Sequence, residues 1–437
     1  MVGDGARWPH PRAVNRSSFI DARSWGAAAL IVVTGAVSAC REEPASAPKA
    51  NAPERAEAPP PSEPAPGAEA EAADDEPKSW PRRTAARNEV ERTAKALEVL
   101  VREGATDPKD PWALAHGIVA FGPKLKANDA RFAVDAIVAD YVLTREEEGG
   151  TIWYFPDRTP TGKPLEPHDN LIVKVLTTSG LPLDHVFPVR GGREVTLETL
   201  LDSALATFEK PPTAHEFGRQ AWTVEAIFAS QQPGTRLELD GWSPTYTELA
   251  LYSMEALTLL QEFLEEPMQR NLPEAVEKKK QGIYAHTCGG LHLIQAAVRG
   301  ASRVGSETLL ERAREQLEIA RFRFDAERRI YRETIQQAPK YRTLLLVQEM
   351  KFYGHLLETF GLAAEWGVLT PTDASRRFIR EVAGDLVDAV RDLESVYAEI
   401  ETYRSKGSQT YYDLVGDGCH AIRGLRMAKK HFYEAEK

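Results

Sequence analysis

The chain has 437 residues, a formal net charge of −11 and 42% hydrophobic residues. That is enough apolar material for a sizeable core, while the acidic balance and the lack of a basic, aromatic-interleaved stripe exclude a nucleic-acid binder. Three cysteines, Cys40, Cys288 and Cys419, are too few for a disulfide-stapled scaffold.

Residues 1–24 are polar and basic, with Arg7, Arg12, Arg16 and Arg23 against Asp4 and Asp21. The apolar run WGAAALIVVTGAV and then Ser38-Ala39-Cys40 follow. A basic region, a short apolar region and small residues before a cut read as a secretory signal over 1–39. The run is shorter than the ~20 residues that span a bilayer. Val37-Ser38-Ala39-Cys40 resembles the lipobox of bacterial lipoproteins. The resemblance implies that Cys40 is the lipidated first residue of the mature protein, carrying acyl chains such as palmitate. Arg41 after the cysteine then favours the outer membrane, with the rest of the chain facing the periplasm. The segment to residue 79 is rich in Pro, Ala and Glu and nearly free of large apolar side chains. It cannot offset its ordering entropy, so 40–79 is expected to be a lipidated cysteine and disordered tether.

From Trp80 to the end, the apolar spacing predicts an all-α domain. Thr84–Glu103 is the first helix. Asp110-Pro111 supplies an N-cap and a first-turn proline for Trp112–Phe121. Asn128–Leu143 follows, and then GGTIWYFPDRTPTGKP breaks the pattern as a long loop or short hairpin. Asn170–Thr178, Thr196–Phe208, His215–Ser230 and Pro244–Leu264 are the next helices. Pro273–Gln281 reads as a small charged helix stopped by Gly282. Gln281–Gly300 sets two histidines, a cysteine and a glycine pair at the start of an apolar helix. Ser306–Glu327, Tyr341–Trp366, a helix from Thr370-Pro371 to about Thr402, and Tyr411–Tyr433 complete the chain.

Two kinds of helix alternate. One is amphipathic, as in Arg376–Leu393, where Phe378, Val382, Leu386, Ala389 and Leu393 share a face. The other is apolar nearly all round, as in Trp112–Phe121, and is therefore buried on all sides. Charged-then-apolar pairs recur at 84–103 with 111–121, 128–143 with 168–178, and 195–208 with 214–230. They recur again at 244–265 with 286–300, 306–328 with 341–364, and 372–402 with 411–433. Six such hairpins predict an (α/α)6 toroid, with an open helical solenoid as the rival.

In a toroid the inner-helix ends converge on one cavity. His116, His168, His215 and His286 lie at or near four proposed inner-helix starts. Each could simply satisfy backbone groups there, but as a set they form a candidate site, with His116, His215, His286 and Glu216 as catalytic candidates. Glu225, Asp240, Asp413 and Asp417 lie near the same ends. Trp153, Tyr154, Trp222, Trp242, Tyr411 and Tyr412 could stack on sugars. Paired carboxylates would suit glycan cleavage.

Cys288 and His292 are four apart on one helix face, and Cys419 and His420 are adjacent. Thiolate and imidazole are the usual zinc ligands. In an exported domain Cys288 and Cys419 could equally form a disulfide, or remain two thiols. AHG at 115–117, TCGG at 287–290 and GCH at 418–420 resemble the HG, Cys-Gly and Cys-His motifs of the lanthionine synthetase C-like family. That resemblance implies an α/α toroid with zinc held by Cys288, Cys419 and His420, and His116 as an acid/base. Ala421 stands where that family has glycine, and six hairpins are counted here rather than seven.

Three functions fit. The first is a lipid-anchored envelope protein whose toroid binds a small molecule, glycan or protein in a central pocket. The second is an envelope enzyme acting on a glycan. The third is a zinc-dependent enzyme of the lanthionine-cyclase type. The shared expectation is the anchor: Cys40→Ala should move the protein from the membrane fraction to the soluble fraction. Continued sedimentation of Cys40→Ala with membranes would remove the lipoprotein reading.

Overall fold

The computed structural model of the chain describes residues 81–147 and 150–433. The leader through residue 39, Cys40 and the 41–79 segment lie outside the described residues. Among the described residues, no helix is long and apolar enough to cross a membrane.

The domain is mostly helical. In chain order the helices are α1 (Arg87–Ala105), α2 (Pro111–Phe121) and α3 (Ala133–Tyr141), then α4 (Leu171–Thr178), α5 (Leu197–Ala206), α6 (Ala214–Arg219), α7 (Ala221–Ser230) and α8 (Tyr246–Gln261). After the short α9 (Glu265–Gln269) come α10 (Leu291–Val304), α11 (Glu307–Gln337), α12 (Arg342–Glu365) and α13 (Asp373–Asp392). The short α14 (Glu394–Tyr397) and α15 (Ile400–Ser405) lead to α16 (Gln409–Phe432). Two antiparallel hairpins interrupt the helices: β1 (Leu143–Glu147) with β2 (Gly150–Tyr154), and β3 (Val186–Val189) with β4 (Arg193–Thr196). The first falls where the helical pattern breaks. The second lay hidden in a stretch too short to show period-two alternation, and its turn is made by Gly191 and Gly192 at positive φ.

Local chemistry explains most helix starts. The Asp110 carboxylate accepts the Ala113 N–H at 3.3 Å, with Pro111 in the first turn. Thr245 and Glu248 form a reciprocal capping box at α8, and Thr372 caps α13. These caps sit one or two residues beyond the Ser-Pro and Thr-Pro pairs that announce them.

Several expected elements differ: the helix expected from Asn128 begins only at Ala133, the one from His215 to Ser230 is split at Gln220, and the one from Ser306 runs on to Gln337. The Pro273–Gln281 helix is only a single 3-10 turn, Pro273–Ala275. The reason lies in Lys278: its side chain is 20% exposed and its Nζ lies 2.6 Å from the Glu327 carboxylate. The charge run is thus pulled inward rather than solvated on a helix face. The inner helix of the 281–300 stretch begins at Leu291, because Cys288, Gly289 and Gly290 all adopt left-handed φ values of 54°, 60° and 70°. The 370–402 helix ends at Asp392 and continues as short pieces.

The apolar helices α2, α4, α7, α10, α12 and α16 pack one against the next, and α16 also packs against α2. The amphipathic α1, α3, α5, α8, α11 and α13 lie outside them, each against its inner neighbours. The two ends of the described domain are tied together. Tyr433 Oη donates to the Ala85 carbonyl at 3.0 Å, and Ala85 N–H donates to Arg380 O at 2.9 Å.

The tightest inner contact is α12 on α16. A Cβ on Gly354 would come within 2.9 Å of Ala421 Cα, and one on Gly424 would collide with the Gly354 carbonyl. Glycine lets these backbones touch. Gly424→Val should therefore force the helices apart and cost about 1–3 kcal/mol, the usual range for overpacking. Chemical denaturation checks this, and an unchanged midpoint would mean the contact is slack.

Candidate functional site

The inner helices enclose a cavity of about 980 Å³. Its lining includes His116, His168, His286, His292, His355 and His420, six of the ten histidines in the chain. They come from α2, the turn before α4, the loop before α10, and α10, α12 and α16 themselves. Convergence from six separate elements is not a property of any one helix face.

At the floor the rings touch. His355 and His420 are 3.9 Å apart between centroids, His292 and His355 4.7 Å, and His116 and His420 5.4 Å. Burial lowers the pKa of all four, His116 to about 3. They are neutral imidazoles at physiological pH, each with one donor and one acceptor nitrogen. His116 Nδ1 lies 2.7 Å from the Trp112 carbonyl, a contact that only the Nδ1–H tautomer makes. Its Nε2 therefore keeps a lone pair.

Behind the floor sits Glu358. Its Oε2 is 2.7 Å from His420 Nδ1, and its Oε1 accepts from Arg423 Nη1 at 2.7 Å. Burial alone would push this carboxyl up. The adjoining His420 first, and then the cation of Arg423, outweigh that and hold it well below the usual range. Glu358 is thus an ionised, buried anchor that fixes the tautomer and angle of His420.

Two carboxylates and a lysine form one wall. Lys351 Nζ is 3.4 Å from Asp413 and 3.3 Å from Asp417. Burial raises Asp417 to about 7, against the pull of Lys351. On the opposite side Lys174 pairs with the buried Glu225 at 3.4 Å.

The residues singled out by the sequence divide into groups. His116, His286, His292, His420, Cys288, Glu216, Asp413, Asp417, Trp222 and Tyr412 line the cavity. His286 packs flat on Gly218, where any Cβ would collide with the ring. His215, expected in the site, is exposed and outside the lining, with its ring tilted 42° against that of His286 at 4.8 Å between centroids. Glu216 accepts the Thr213 hydroxyl at 2.8 Å, so it acts first as a cap. Asp240, Trp153, Tyr154, Trp242 and Tyr411 stand outside the lining, and Glu225 is buried behind it.

Cys419 corrects one expectation. Cys288 and Cys419 form no disulfide. Cys419 is also absent from the lining, and it joins no group of converging metal-ligand atoms among the described residues. Its charged neighbours include Arg102 of α1. The reason is helical phase: adjacent residues point ~100° apart, so a cavity-facing His420 turns Cys419 away. The set of Cys288, Cys419 and His420 is therefore not assembled at one point.

Sequence reasoning passed over His355, Glu358, Lys351 and Lys174. The signal was present: charged and imidazole groups stand inside helices otherwise apolar on all sides, as in KFYGHLLETF. A polar group there must be buried and therefore partnered. The search at helix starts overlooked these mid-helix positions.

Comparison with family models, curated proteins and solved structures finds no match. What the chain offers is a helical domain built around a histidine-lined cavity.

Glu166 lies just outside the lining at the start of α4. It is buried, and its carboxylate accepts the Ile172 N–H at 2.8 Å. Burial raises its pKa from 4.5 to about 8. The folded state then binds a proton that the unfolded state releases at lower pH. The stabilisation is complete below about 4.5 and is lost as pH rises through about 8. Glu166→Gln keeps the acceptor and removes the charge. It should raise stability at pH 8 by on the order of 1 kcal/mol or more and flatten the slope between pH 5 and 8. Equal slopes for the two proteins in denaturant titrations would contradict a buried, protonated Glu166.

Proposed function

We propose that the chain is a lipid-anchored bacterial envelope protein whose helical domain is an (α/α)6 toroid. Its central cavity would carry out acid–base chemistry on a small polar substrate. Cys40 would hold it to the membrane, and the 41–79 segment would set the domain off the surface. The toroid is supported by the neighbour order of the inner helices, in which α16 returns to α2. An open solenoid would leave the first and last hairpins apart.

The observation that carries the reading is the convergence of six histidines with Asp413, Asp417 and Lys351 in one enclosed cavity. Burying that many polar groups costs stability, and such concentrations cluster at functional sites. Neutral imidazoles with a lone pair, such as His116 Nε2, can take a proton from a bound substrate.

Among substrates, the geometry favours a compact polar molecule over a long glycan. Trp222 stacks on His168 at 4.0 Å with planes 3° apart and meets His292 at 5.0 Å. Trp112 meets His116 at 3.9 Å and Tyr412 at 5.7 Å. These rings spend their contacts on neighbouring side chains rather than forming an open platform for sugars.

The test uses the full chain extracted in detergent and a panel of p-nitrophenyl esters, phosphates and glycosides. At least one class should turn over. His116→Gln should reduce that turnover ~10²–10⁴-fold with little change in thermal stability. Turnover unaffected by His116→Gln, or no turnover across the panel, would count against an acid–base cavity.

A further inference from the structure

We propose that Cys288, His292 and His355 form a zinc site at the floor of the cavity. Their ligand atoms, one from each side chain, all lie within 4.8 Å of one another. The thiol belongs to the turn before α10, and the two imidazoles belong to α10 and α12.

The strongest argument is an unmet need. His355 is fully buried, and neither ring nitrogen has a partner within hydrogen-bond distance; the nearest acceptors, Glu358 and Asp417, stand off at 3.6 and 3.9 Å. His292 is 5% exposed, and its Nδ1 is also without a partner. Nearly all buried polar atoms in folded proteins are satisfied. A neutral imidazole carries one lone pair and one N–H. A cation between the two touching rings would accept one lone pair from each, and their ligand atoms lie close enough together to share it.

The backbone supplies an independent observation. Cys288 holds a left-handed conformation, φ 54° and ψ 29°, which is uncommon for a residue with a Cβ. The turn is pinned from outside: the fully buried Arg323 donates from Nη2 to the Gly289 carbonyl at 2.9 Å. Gly290 presses against Ile283, where a Cβ would collide. Strain of this kind persists where the surrounding structure enforces it, and it clusters at functional sites. Here it places the thiol ahead of the helix, four residues before His292.

A second group of converging atoms, His355, Glu358 and His420, is a weaker candidate. Glu358 is already engaged by Arg423 and His420. Its place is behind the ligand. Glu358 stands 3.6 Å from His355 Nδ1, and Asp417 stands 3.9 Å from Nε2. Whichever nitrogen binds metal, a carboxylate faces the other one, as is usual around metal-bound histidine.

The ligand set selects zinc. Thiolate with two imidazoles is a borderline-soft set, and three protein ligands leave one tetrahedral position open. Cys288 lines the cavity, so that position faces it. Copper electron-transfer sites use the same trio with a weak axial ligand, most often methionine, and no methionine lines this cavity. On binding, the Cys288 S–H bond breaks, its proton goes to solvent, and a zinc–sulfur bond forms. This goes beyond acid–base chemistry by histidines: Cys288, His292 and His355 carry it, whereas His116 carries the proton transfer.

The test takes the full chain in detergent, strips it with chelator and titrates it with zinc alone, then with cobalt as a spectroscopic stand-in. We expect one tightly held equivalent of zinc and a sulfur-to-cobalt charge-transfer band. Cys288→Ser should abolish the band and weaken zinc at least tenfold, while Cys419→Ser should leave both unchanged. His355→Asn should also weaken zinc at least tenfold. Should these variants misfold, the parent protein still decides, because zinc must protect Cys288 from alkylation while leaving Cys419 unchanged. No stoichiometric zinc, a band lost on Cys419→Ser, or alkylation of Cys288 unaffected by zinc would overturn the site. An intense blue colour with copper in the isolated protein would overturn the choice of metal. None of these readouts depends on turnover, so they fail or succeed separately from the acid–base reading.

Discussion

The buried carboxylate of Glu358 is the constraint on which the cavity floor depends. It joins α12 to α16 through Arg423 and His420, each at 2.7 Å. A buried charge is tolerated only with close, complete partnering. That closeness requires backbones in contact, and Gly354 and Gly424 supply the contact. The glycines, the ion pair and the angle of His420 therefore form one unit. Removing the carboxylate would leave Arg423 and His420 without their acceptor, the costly half of the asymmetry between making and breaking a buried pair.

A second buried network fixes the other side. Arg323 and Glu327 of α11 are both fully buried and paired at 3.0 Å. Lys278 closes on the same carboxylate from the preceding loop. Arg323 then reaches inward to the Gly289 carbonyl. An outer helix thus holds the left-handed turn that positions Cys288. The burial of an arginine on an otherwise amphipathic helix has its reason in that contact, since a fully buried guanidinium needs both a carboxylate and backbone acceptors.

Between these supports the histidines are close enough to touch and too buried to charge. Neutral rings packed together avoid mutual repulsion and keep lone pairs available. This is the state suited to taking protons or binding a cation. Asp413, Asp417 and Lys351 add a charged wall beside them. The cavity therefore combines a soft, neutral floor with a polar side, and both features arise from where inner helices meet.

The sequence by itself determined the helical hairpins and their inner and outer sorting. Period, caps and all-round apolarity act within a few residues, so Asp110, the Thr370-Pro371 pair and the stripe from Phe378 to Leu393 are legible locally. It also flagged His116, His168, His286, His292 and His420, because a histidine at an apolar helix is conspicuous. Only the tertiary structure decided which side chains share a space. His355 and Glu358 lie mid-helix, and their importance depends on a neighbour more than sixty residues away along the chain. Cys419 looked equivalent to His420 until helical phase turned it toward α1. The left-handed turn at Cys288 and Gly289 is enforced by Arg323, thirty-four residues after Gly289. Contacts of that range depend on how helices settle against one another, and local pattern carries no record of that packing.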